Sequence, residues 1–170
     1  AGMAMVKAHP IFGPLAHRAH WVRTPASQCP ADGWLVVLQN GTIHVHPKRH
    51  AEAAEWAFAL ARGVLSYAMD FFQRDRGDWA AWSAACDVAS TRFLATVKFG
   101  TCPHEMQMPV DAPAWDEDRW YRQFCENGVP PWTAGLGLAG HRATSLQPPE
   151  DWSQESPAHR RYGFASTQET

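Results

Sequence analysis

Residues 55–67 read Glu55-Trp56-Ala57-Phe58-Ala59-Leu60-Ala61-Arg62-Gly63-Val64-Leu65-Ser66-Tyr67. They lie in a proline-free run from about Ala51 to Gln73. Along it Trp56, Leu60, Val64, Tyr67 and Phe71 follow one 3.6-residue stripe, and Phe58, Leu65, Met69 and Phe72 fill a second beside it. Two apolar stripes predict a long helix at the centre of the fold. The polar residues left over, Arg62, Ser66 and Asp70, are spaced i, i+4, i+8 and form a single row. Such a row is most simply a solvent-facing edge. Gly63 argues against that, since glycine inside a helix costs about 1 kcal/mol relative to alanine.

Upstream, Trp34-Leu35-Val36-Val37-Leu38 and Thr42-Ile43-His44-Val45-His46 are β-prone runs separated by Gln39-Asn40-Gly41, a strong hairpin signal, and Pro47 ends the second. Before them Pro10, Pro14, Pro25, Pro30 and Gly33 allow only a short helix between His9 and Trp21. Downstream, Asp78 is placed to cap a helix running to about Lys98, with Gly100 beyond it and Trp82, Cys86, Ala89, Phe93 and Val97 inward. A third helix is expected over Asp116 to Glu126, its acidic first turn favoured by the helix dipole and its end marked by Asn127-Gly128. The fold class is therefore α+β: a small antiparallel hairpin or sheet packed on a helical bundle. Ala1-Gly2-Met3 reads as a cloning remnant and is set aside, giving a domain over residues 4–146. Residues 147–170, with Pro148, Pro149 and Pro157 among polar residues, read as an exposed tail or a linker toward a further domain.

Composition narrows the function classes. Nine Trp and eight Phe in 170 residues, 45% of them apolar, predict an aromatic core. A net charge of −2 gives no electrostatic case for nucleic acid or an anionic membrane. No apolar run reaches the roughly 18 residues of a membrane span. Cys29, Cys86, Cys102 and Cys125 form no C-x-x-C pair, so neither a zinc knuckle nor a dithiol motif is spelled out. With no signal peptide in view, a cytoplasmic protein with reduced thiols is expected.

A hairpin feeding a long helix, followed by a second helix, is the element order of zincin-type metallopeptidases. The stretch Glu55–Tyr67 resembles the active-site helix of a bacterial metallopeptidase-like family often found beside von Willebrand A-like domains. Trp82-Ser83-Ala84-Ala85-Cys86-Asp87 is similar to that family's next helix, as are Arg92-Phe93-Leu94, Lys98-Phe99-Gly100 and Pro103. The resemblance implies a zincin-like fold over about residues 9–140. It also implies that the H-E-x-x-H positions are held here by Arg62, Gly63 and Ser66. An H-E-x-x-H helix works because two imidazoles one turn apart converge on Zn²⁺ beside a carboxylate that activates water. Arginine stays protonated, serine is a poor ligand and glycine has no side chain.

The degenerate site is thus Arg62, Gly63, Ser66, Asp70 and Asp87, with no catalytic residue, metal or cofactor. The implied function is a catalytically inactive scaffolding or interaction module, partnered by another protein or by a further domain of its own chain. If a metal has left a site that keeps Asp87, a guanidinium should replace it, so Arg62 is expected to pair with Asp87 or, failing that, Asp70. Two alternatives are weighed beside this reading. His44 and His46 point to one face of a strand and, with His50, are candidate ligands of a metal-dependent hydrolase with a non-standard site. His17, Arg18, His20, Trp21 and Arg23 mix basic and aromatic residues in the manner of a nucleic-acid accessory. Thr101-Cys102-Pro103-His104-Glu105 gathers thiol, imidazole and carboxyl in one loop, but such chemistry requires partners that meet in space.

Overall fold

The Asn40-Gly41 turn joins β2 (Leu35–Val37) to β3 (Thr42–Val45) as an antiparallel pair, with Val36 opposite His44. Gly41 takes φ +89°, which glycine adopts without a Cβ penalty, and Asn40 Oδ1 accepts the Thr42 N–H at 3.0 Å. In this computed structural model, which describes residues 1–72, 76–140 and 144–147, the architecture is α+β. The sheet is mixed rather than purely antiparallel. A third strand, β1 (His20–Val22), pairs parallel to β3 with Trp21 opposite Ile43, giving the order β1-β3-β2. Helix α2 (Gly13–Arg18), with Pro14 in its first turn, replaces the helix expected up to Trp21. It stops before β1, and the Trp21 indole N–H reaches back to the Ala16 carbonyl at 2.8 Å.

The first three residues belong to the body. Helix α1 (Gly2–Ala8) lies against α3 (Ala53–Ala68), and a Cβ on Gly2 would come within 2.6 Å of the Trp56 Cβ. Setting residues 1–3 aside was therefore a misreading of a buried contact. Helix α3 opens with a capping box: the Glu52 side chain takes a backbone N–H three residues on, and Glu55 Oε2 takes the Glu52 N–H at 3.1 Å. It ends at Ala68, short of Gln73, because Asp70 turns into the left-handed region at φ +58°. Every residue from Trp56 to Ser66 is buried. Gly63 faces the sheet. A Cβ there would sit 3.3 Å from Leu35 Cδ1 and 3.5 Å from Ile43 Cδ1, so the missing side chain lets sheet and helix approach closely.

Helix α4 (Trp79–Val97) is capped by Asp78, whose carboxylate accepts the Ala81 N–H at 3.0 Å. Its left-handed terminator is Lys98 at φ +54°, with Gly100 two residues later. Helix α5 (Glu117–Asn127) is capped by Asp116 and closed by Gly128 at φ +83°. Two 3₁₀ turns, His104–Met106 and Pro131–Leu136, follow α4 and α5 respectively. The chain then runs beside β2. Trp34 N–H donates to Leu138 O, Val37 N–H to Ser145 O, and Gln147 N–H to Val37 O at 3.0 Å. Gln147, expected to start the tail, is thus held to the sheet; the rest of that tail, residues 148–170, lies outside the described residues. Among the described residues no helix is long and apolar enough to cross a membrane.

Candidate functional site

The polar row of α3 is not a solvent edge. Arg62 is 1% exposed and Ser66 4%, while Asp70 lies beyond the helix end and is exposed. Arg62 Nη2 donates to Asp87 Oδ1 at 2.7 Å, so the expected Arg62–Asp87 pair is present and Asp70 takes no part in it. The rest of the guanidinium is also engaged. Nε donates to Ser90 Oγ at 3.3 Å, and Nη1 reaches the Leu136 carbonyl at 2.5 Å and Met106 Sδ at 3.4 Å. The second Asp87 oxygen accepts Ser145 Oγ–H at 3.2 Å, and Ser145 Oγ in turn accepts the Leu138 N–H at 2.7 Å. Ser66 only returns a bond to the Arg62 carbonyl one turn back, at 3.4 Å.

This polar joint ties α3, α4, both 3₁₀ turns and the C-terminal segment together. Burial opposes both charges. It pushes the Asp87 carboxyl up to about 6, although Arg62 and Ser145 pull the other way, and it pulls Arg62 below its ordinary value against the attraction of Asp87. A fully bonded guanidinium has no N–H left for a substrate. The chemistry of the joint is cohesion: two charges kept dry by satisfying each other and the backbone carbonyls of Asp87 and Leu136.

The alternative histidines do not converge. His44 Nδ1 accepts the Gln28 N–H at 3.1 Å, His46 Nδ1 accepts the Lys48 N–H at 3.1 Å, and His50 is exposed on a different wall. Among the described residues no group of three or more His, Cys, Asp or Glu side chains is arranged to hold a metal ion. The Cys102-His104-Glu105 loop also disperses. Cys102 Sγ turns to the Met106 carbonyl at 3.4 Å, burial raises its pKa, and Glu105 accepts from Arg49 at 2.6 Å and from the Trp34 indole at 3.1 Å.

Two clefts escaped the sequence reading. The first is an aromatic groove of about 400 Å³ between α5 and its flanking loops, walled by Trp115, Trp120 and Trp132 and by Pro109, Pro113 and Pro130. The Trp120 ring lies tilted at 4.7 Å from Trp115 and edge to face at 5.9 Å from Trp132. Its indole Nε1 is buried with no hydrogen-bond partner among the described residues. Val110 and Val129, both exposed, adjoin lining residues in sequence. The second cleft, about 410 Å³, is lined by Trp21, Arg23, Arg49, His50, Trp56 and Leu60 among others. The signal for the groove was available as the Trp-Pro alternation around α5. No local pattern announces the second cleft, because its walls come from the start of α1, β1 and Arg23 after it, β3 and the loop after it, and α3.

No protein-family model, no curated protein and no solved structure matches the chain. The resemblance to metallopeptidase-like domains accordingly rests on the motifs alone.

Proposed function

We propose that this chain is a non-catalytic, metallopeptidase-like domain that binds an extended, proline-containing segment of a protein partner or of a further domain. The observation that carries this is the groove walled by Trp115, Trp120 and Trp132 together with Pro109, Pro113 and Pro130. Polyproline II segments expose their carbonyls, pay little ordering entropy and dock on aromatic-lined grooves. The reading that the site is not a hydrolase is supported by Arg62, which occupies a would-be ligand position and is bonded on every side.

The test is titration of a fluorescein-labelled Pro-Pro-x-Pro-Pro peptide followed by anisotropy. Binding in the micromolar range is expected. Trp132→Ala should weaken it at least tenfold with an unchanged melting temperature, since Trp132 is only half-buried. Equal binding by wild type and Trp132→Ala sinks the groove as the site, and stoichiometric zinc in chelator-free protein by elemental analysis sinks the non-catalytic reading.

A further inference from the structure

The second cleft has the make-up of a small-molecule site, and nothing in the proposed function uses it. Its size, about 410 Å³, falls in the range of ligand pockets. Its walls combine apolar surface from Trp21, Trp56 and Leu60 with the cationic side chains Arg23 and Arg49, His50 and the N-terminal residues 1–3, and no carboxylate among the described residues lines it. The two guanidiniums are held by aromatic faces. Arg23 Cζ lies 5.1 Å from the Trp56 ring, Arg49 Cζ lies 4.1 Å from the Trp34 ring, and Trp34 and Trp56 meet edge to face at 5.0 Å.

The two arginines differ in what remains to be bound. Arg49 is neutralised by Glu105 at 2.6 Å and also donates to the Asp32 and Gly33 carbonyls. Arg23 spends only its Nε, on the His46 carbonyl at 3.4 Å, and has no carboxylate partner among the described residues. Its two terminal nitrogens are therefore a fork without a counter-ion at the edge of a Trp-walled pocket. A guanidinium fork matches the two oxygens of a carboxylate. We infer that this cleft binds a small carboxylate carried on a planar aromatic body, the carboxylate on Arg23 and the ring between Trp21 and Trp56.

Isothermal titration calorimetry of the full chain decides it, with indole-3-acetate as the probe. Indole-3-acetamide is the neutral control, and adenosine 5′-monophosphate the phosphate control. Indole-3-acetate should bind at least tenfold more tightly than either. Arg23→Gln should reduce it to the affinity of the amide, and Arg23→Lys, which keeps charge but loses the fork, should fall between. Arg23 is exposed, so both variants should melt with the wild type. Equal affinity for acetate and acetamide, preference for the nucleotide, no binding of any probe, or an Arg23→Gln protein that binds as well as wild type would each overturn the inference.

Discussion

Arg62 and Arg23 are two answers to the same problem, a guanidinium set against apolar side chains, Met106 in one case and Trp56 in the other. Around Arg62 every N–H is matched by protein atoms and the residue is 1% exposed. Around Arg23 the nearest satisfied contact is a single long bond at 3.4 Å, and water reaches the group. The difference separates structure from function in this molecule. The completed polar network holds elements together, and the incomplete one, the Arg23 fork, lies where a ligand can reach it.

The largest expected effect breaks the closed side of that comparison. Arg62→Ala leaves the Asp87 carboxylate and the Leu136 carbonyl buried and alone, and should destabilise by roughly 3–5 kcal/mol in urea unfolding. The paired change Arg62→Leu with Asp87→Leu should recover much of that loss, because it removes both charges together. Additive losses in that double-mutant cycle would show the pair to be uncoupled. A smaller effect is expected at the joint's far end. Ser145→Ala leaves the Leu138 N–H without its acceptor and one Asp87 oxygen without its donor, a cost of about 1–3 kcal/mol by the same measurement. If Ser145→Ala unfolds with the wild type, the C-terminal segment is not held through the carboxylate.

The pH dependence of the joint, an effect no larger than about 3 kcal/mol, is the most informative in sign. Asp87 in the native state is held up at about 6 by burial, above the usual carboxylate value near 3.9 in the unfolded chain. A raised native pKa means the folded protein keeps a proton the unfolded chain has lost. The stabilising contribution is therefore full below about pH 4 and declines as pH rises through 6. Wild type should lose stability relative to Asp87→Asn between pH 4 and 7, the reverse of an ordinary salt-bridged aspartate. A gap that widens in favour of wild type over that range would place Asp87 with the ordinary ones.

Much of the fold was legible because it is written locally. Asn40-Gly41 announces the hairpin, Asp78 and Asp116 the helix starts, and Gly128 a helix end, each by chemistry confined to a few residues. The pairing of Arg62 with Asp87 followed from charge compensation once both were set on neighbouring helices. What stayed hidden depends on distant partners. Strand β1 has three residues and pairs in parallel across an intervening segment, so no alternation marks it. The spacing of Arg62, Ser66 and Asp70 could not by itself tell a solvent row from a buried one, since burial of Arg62 requires Leu136 and Asp87, neither of them on its helix. Gly63 looked like the relic of a lost catalytic carboxylate; its neighbours Leu35 and Ile43 supply a packing reason that is visible only in three dimensions.

The joint around Arg62 also has a direction in time. A ribosome releases α3 and α4 before Leu136, Leu138 and Ser145 exist, so Arg62 and Asp87 meet first with only part of their hydrogen bonds made. Water must serve as the missing partner until the last segment threads in and expels it. Completion of the interior thus waits on residues synthesised well after both helices. A nascent chain stalled before them presents a hydrated charge where the finished protein has a dry one.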